Sequence, residues 1–188
     1  MKLKHLVIAA VVIGGGAFVL KKKGRAMLRA LESPGGGRIK NKRDPAPADL
    51  VEVTGVNGRK LKAQKDAAAA FQSMVAAAHG DGIDKRRLGA FSIYRPSASQ
   101  KKLFDQAVKR YGSPGAARKW VAPPGGSAHQ SGRAFDLDLD GGGIGSQQVE
   151  RLRKAPAYAW LVKNAARFGF YPYKVEPWHW EYNPPAVA

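Results

Sequence analysis

The stretch Ser127–Leu139 reads SAHQSGRAFDLDL, and its second half decides the fold. From Arg133 to Leu139 the side chains alternate. Phe135, Leu137 and Leu139 fall on one side, and Ala134, Asp136 and Asp138 on the other. Strict period-two alternation predicts a half-buried β-strand. Gln130-Ser131-Gly132, just before it, is turn-prone, and glycine permits a turn sharp enough to swing His129 back toward the strand.

Outward from this strand, the chain divides into short helices and strands. Gln64–Ala78 is alanine-rich, with Ala68, Phe71, Met74, Val75 and Ala78 at helical spacing, and Gly80 and Gly82 end it. Leu88–Tyr94 reads as a strand. Ser99–Tyr111 reads as a helix with Leu103, Phe104, Ala107 and Val108 on one face. Val121–Gly126 is a Pro/Gly loop, Ala157–Phe168 a helix stopped by Gly169, and Trp178–Tyr182 an aromatic strand. The sum predicts an α+β domain with a small, mostly antiparallel sheet and packed helices.

The chemistry-bearing residues lie at two places. Asp136 alone reads most simply as a carboxylate facing water. With His129 seven residues earlier, the pair becomes a plausible set of ligands for a borderline cation such as zinc. The stretch Glu176–Tyr182 (EPWHWEY) adds His179, with Glu176 three residues before it. The chain has no cysteine, so a zinc site here must use His and Asp/Glu. Two His and one Asp leave a fourth position for water, whose pKa zinc lowers toward about 7. A nearby Glu can then take its proton and pass it to a leaving amine. Asp138 and Asp140 read as solvated or turn-forming and Glu181 as an exposed strand residue. His5 and His79 are set aside as ligands.

Two motifs now point to a family. Ser127–Asp136 matches S-x-H-x-x-G-x-A-x-D, and Glu176–Tyr182 matches E-x-W-H-x-x-Y. Together they resemble the D-alanyl-D-alanine carboxypeptidases of the vancomycin-resistance type, within the lysostaphin/D-Ala-D-Ala metallopeptidase group of hedgehog-like fold. Ser92-Ile93-Tyr94-Arg95, with Gln100 beyond it, resembles the arginine-bearing segment of that family. The resemblance runs from about Ala63 to Tyr182. It implies one zinc ion per chain on His129, Asp136 and His179, and Glu176 as general base and then acid. It implies Arg95 on a polarised carbonyl oxygen or substrate carboxylate, and Ser127, Gln100, Trp178 and Tyr182 around the substrate. The implied activity is a D,D-carboxypeptidase that removes the terminal D-Ala of peptidoglycan stem peptides. One position departs: the residue after Ser127, often acidic in the family, is Ala128, which leaves the ligand positions intact but bears on substrate preference.

The ends of the chain carry a different message. The net charge over 188 residues is +18. Residues 1–44 hold eleven Lys/Arg against two acids, so the first quarter is the densest in positive charge. Such a chain is drawn to anionic lipid, anionic wall polymers or nucleic acid. The aromatics cluster at the presumed site and not along a basic strip, which disfavours nucleic acid as partner. The apolar run Leu6–Leu20, flanked by lysines, is expected to be a retained membrane anchor, with a cleavable signal peptide as the rival reading. The expected organisation is an anchor over 1–32, a flexible linker over 33–49 and a zinc peptidase domain over 50–188. The domain is expected to face the cell wall. Yet Lys21, Lys22, Lys23, Arg25 and Arg29 follow the apolar run and only Lys2 and Lys4 precede it, which by the positive-inside rule favours the opposite orientation. A phage lytic protein carried in a virion membrane is the alternative that resolves this. A peptidoglycan endopeptidase and a zinc-retaining wall-binding module are the alternatives for function.

Overall fold

A computed structural model describes residues 38–184. The expected membrane anchor lies outside the described residues, and no helix among them is long and apolar enough to cross a membrane. The domain is α+β, built on two antiparallel sheets. Strands β1 (Leu50–Thr54) and β2 (Lys60–Gln64) form a hairpin; β3 (Gly89–Ser92), β4 (Ala134–Asp138), β5 (Phe170–Tyr173) and β6 (Glu176–Tyr182) form a four-stranded sheet in the order β3-β4-β6-β5. The helices are α1 (Lys65–Gly80), α2 (Ser97–Tyr111), the single turn α3 (Pro114–Ala117), α4 (Val149–Lys154) and α5 (Pro156–Asn164).

Helix α1 forms where the alanine run carries an apolar stripe. Ala67, Ala68, Phe71, Met74 and Ala78 are buried along it. The Gln64 side chain caps its first turn by accepting the Ala67 amide at 3.0 Å. Phe71 meets Phe135 of β4 at 4.9 Å between ring centroids, and Phe135 meets Phe170 of β5 edge-on at 5.2 Å. This aromatic contact joins helix to sheet and defines the core face. Helix α2 ends where Gly112 takes a left-handed conformation, φ 84°.

The two central strands set the register on which the site depends. In the β4–β6 pair, Asp136 lies opposite His179, Phe135 opposite Trp180 and Ala134 opposite Glu181. Alternation then sends Phe135 and Trp180 into the core and gathers Ala134, Asp136, His179 and Glu181 on the other face.

Several details differ from the sequence reading. Strand β4 is buried at all five positions, not half-buried, because its polar face lies beneath other chain segments. Residues 38–49, read as the end of a flexible linker, lie against the domain; Ile39 is 2% exposed, packed with Ala128 and Ala134. Glu181 is buried, not exposed: it shares a strand face with His179. Asp138 is buried and not solvated, but it is turn-forming as the other reading had it: its carboxylate accepts the amides of Asp140, Gly141 and Gly143 in the following turn. The β1–β2 hairpin and β5 had no counterpart in the reading. Pro172 in β5 is tolerated because that strand is at the sheet edge.

The turn before β4 combines a left-handed residue with close backbone packing. Residues Ala128–Ser131 make a 3₁₀ turn closed by Gly132 at φ 67°, and a Cβ there would sit 2.9 Å from the Gln64 backbone nitrogen. The Gly132 carbonyl accepts the Gln64 amide at 2.9 Å, tying this turn to the hairpin and α1. Gly132→Ala is therefore expected to destabilise the fold by about 2 kcal/mol or more. Gly112→Ala, also at positive φ but with open space around it, should cost about 1 kcal/mol. Denaturant unfolding of the two variants checks the difference.

Candidate metal centre and its cleft

Three buried side chains converge at the centre of the sheet. His129 arrives on the 3₁₀ turn, Asp136 on β4 and His179 on β6, and one ligand atom from each lies within 4.8 Å of the others. His129 Nε2 is 3.2 Å from one Asp136 carboxylate oxygen, and His179 Nδ1 is 3.0 Å from the other. The imidazoles meet edge-on with centroids 5.0 Å apart.

The outer hydrogen bonds decide which nitrogens face inward. His129 Nδ1 is 2.6 Å from the Ile93 carbonyl, which can only accept, so Nδ1 carries the proton and Nε2 presents a lone pair. His179 Nε2 is 3.2 Å from Glu181, whose carboxylate accepts its proton, so Nδ1, 3.0 Å from Asp136, is the nitrogen turned inward. Two imidazole nitrogens and a carboxylate turned toward one another, in a buried group without thiolates, fit a single zinc ion.

The electrostatics of the metal-free group show the same logic. Burial pushes the Asp136 carboxyl up, but His129 and His179 outweigh it and hold the group below the usual carboxylate range. Burial pushes His179 down, yet the hydrogen bonds to Asp136 and Glu181 prevail and raise its pKa to about 9. Glu181 is likewise lowered against burial, by His179, the Ile39 amide and Arg38. The protonated form of His179 is thus favoured between these two carboxylates.

The group opens into a cleft of about 400 Å³. Glu176, at the start of β6, lines the cleft with Arg95, Gln100, Ser127 and Trp178. Arg95 is carried on the segment between β3 and α2, and its backbone amide donates to the His129 carbonyl at 3.1 Å. Its guanidinium donates to the Gln100 side-chain oxygen at 3.1 Å, while the Gln100 amide nitrogen donates to the Ala122 carbonyl at 2.6 Å. Gln100 is 1% exposed and both ends of its amide are committed to the protein, so it aims Arg95. Tyr182 lies away from this group: it packs on Phe170 and under the Arg133 guanidinium.

The cleft also contains residues that sequence reasoning missed. Arg38, Arg118, Lys119, Trp120 and Tyr173 line it. Arg118-Lys119-Trp120 is a basic-aromatic run directly before the Pro/Gly loop, a signal that was available. Glu181 was also accessible, since residues two apart on a strand share a face. Arg38 had no local signal, because its segment reads as a linker.

Residues 60–185 match the family model "VanY: D-alanyl-D-alanine carboxypeptidase". A D-alanyl-D-alanine carboxypeptidase of Enterococcus faecalis is 31% identical over 163 residues, covering 76% of this chain and 56% of that protein. The chain spans about half the length of the curated relatives it matches. Among solved structures, the LdcB LD-carboxypeptidase aligns with a TM-score of 0.65 at 30% identity, covering 75% of this chain and 70% of its own. A mutant of the vancomycin resistance D,D-pentapeptidase VanY in complex with Zn(II) aligns with a TM-score of 0.52 at 29% identity, covering 74% and 82%. With the model matched over more than half its length, this chain belongs to the VanY family of D-alanyl-D-alanine carboxypeptidases.

Proposed function

We propose that the chain is a zinc-dependent D,D-carboxypeptidase that removes the terminal D-Ala of peptidoglycan stem peptides. The observation that carries this reading is the convergence of His129, Asp136 and His179 at the floor of a cleft that also holds Glu176 and Arg95. His129 Nε2, His179 Nδ1 and the Asp136 carboxylate would hold the metal. Zinc supplies Lewis-acid chemistry when bound, polarising a carbonyl and lowering the pKa of water. Glu176 accepts the proton from the attacking water and delivers it to the leaving amine. Arg95 offers a planar fork of donors to the substrate's carboxylate end, held in direction by Gln100. Ser127 and Trp178 wall the space between them.

A second reading, removal of a terminal residue across an L,D bond, is supported by the higher TM-score of the LdcB neighbour. The cleft is rich in cations, Arg38, Arg95, Arg118 and Lys119, which suits a peptide ending in a carboxylate under either reading. On the proposed organisation, the apolar run near residues 6–20 tethers the domain to a membrane with the cleft facing the wall, where the basic charge also favours anionic polymers.

Digestion of synthetic stem peptides followed by mass analysis distinguishes these activities. A pentapeptide losing one alanine supports the D,D reading. A tetrapeptide cut in preference supports the L,D one, and solubilised glycan from intact wall an endopeptidase. Glu176→Gln is expected to lower kcat by about 10²–10⁴-fold while zinc content per chain stays unchanged. Arg95→Lys should act mainly on KM, because it keeps the charge and loses the fork.

Metal binding should depend on pH in a definite direction. His179 is protonated below about 9 in the metal-free protein, and its proton must leave when Nδ1 takes a metal. Zinc affinity is therefore expected to rise about tenfold per pH unit through the neutral range and to flatten above that pKa. Calorimetric titration in buffers of different ionisation enthalpy should report about one proton released per ion.

A further inference from the structure

We infer that Arg38 and Ile39, from the segment leading into the domain, complete the outer shell of the metal centre by fixing the carboxylate that aims His179. This inference rests on the metal-binding reading of His129, Asp136 and His179 and adds to it a positioning role for residues outside the matched family region.

Glu181 is 2% exposed, and both its oxygens are engaged. Oε1 lies 3.2 Å from His179 Nε2 and 2.8 Å from Arg38 Nε; Oε2 accepts the Ile39 backbone amide at 2.6 Å. Ile39 and Glu181 are 142 residues apart in sequence. A buried carboxylate held on one side only would be costly and free to rotate. Here the Ile39 amide and the Arg38 guanidinium hold it, so the oxygen facing His179 cannot swing away. The imidazole then keeps its Nε2 proton and presents Nδ1 inward.

The same segment is anchored along its length. The Ile39 side chain is buried against Ala128, next to His129, and Ala134, which faces Glu181 across β4 and β6. Small residues at both positions leave room for it. The Arg38 guanidinium stacks on the Tyr173 ring, 3.8 Å from its centroid, at the wall of the cleft. Further on, Lys42 Nζ donates to the Gly126 carbonyl at 2.9 Å. Asp44 accepts from Tyr94 Oη at 3.2 Å and from the Ser97 amide at 3.1 Å. The segment thus grips the loop before His129 and the stretch flanking Arg95.

A thermodynamic cycle in the full-length chain tests this. Zinc affinity is measured by competition with a chromophoric chelator, and the visible spectrum of the Co(II)-substituted protein reports ligand geometry. Glu181→Ala is expected to weaken zinc about 10–100-fold and to shift the Co(II) bands. Ile39→Pro, which removes the amide donor, and Arg38→Ala should each weaken zinc about 3–10-fold. In the Glu181→Ala background both should have almost no further effect, because they act through that carboxylate. Arg38 is about half exposed, so Arg38→Ala carries the cycle if Ile39→Pro does not fold, as judged by thermal unfolding of the metal-free protein. Unchanged zinc affinity in Glu181→Ala overturns the inference. So does an Arg38→Ala effect that is equally large with and without Glu181. Failure of the wild type to bind zinc would instead overturn the metal reading itself.

Discussion

The site depends on the register between β4 and β6. Placing Asp136 opposite His179 makes two ligands cross-strand neighbours, their side chains on one face of a twisted sheet. A slip of one residue would bring Trp180 to that face and turn His179 into the core. The aromatic contacts of Phe135 with Phe71 and Phe170 oppose such a slip, because they reward burial of the alternate residues. The hydrophobic core and the metal centre are thus opposite faces of one pairing. Only His129 needs a separate device, and the left-handed Gly132 turn supplies it.

Around this pairing, the polar groups are arranged in layers. The ligands are oriented by Ile93 and Glu181, and Glu181 in turn by Ile39 and Arg38. On the substrate side, Gln100 stands behind Arg95 in the same way, with the Ala122 carbonyl behind Gln100. His129, His179 and Arg95 each therefore have a partner that restricts their rotation, which is what a preorganised site requires. The cleft is cationic at its walls, whereas Asp136 and Glu176 supply negative charge at its floor and edge.

Much of this was legible in the sequence because it is local. The alternation over Arg133–Leu139 gave β4, the apolar stripe at Phe71 and Met74 gave α1, and the two motifs brought the three ligands together with Glu176. What escaped was non-local or weakly patterned. The β1–β2 hairpin is short and charged, and its Asn57-Gly58 turn was its one clear signal. Glu181 read as exposed because nothing in its neighbourhood says that Arg38 and Ile39 cover it. Those residues sit in a Gly/Pro/charge-rich stretch whose composition describes a linker. Tyr182 carries a motif position yet packs beside Phe170, so matching a pattern did not by itself place it in the cleft.

The most direct test of the account is a crystal structure of the zinc-loaded protein with diffraction recorded across the zinc absorption edge. The account predicts one anomalous peak per chain, bonded to His129 Nε2, His179 Nδ1 and the Asp136 carboxylate, with Glu181 still on His179 Nε2. A peak elsewhere, or none at this group in crystals soaked with zinc, would contradict it.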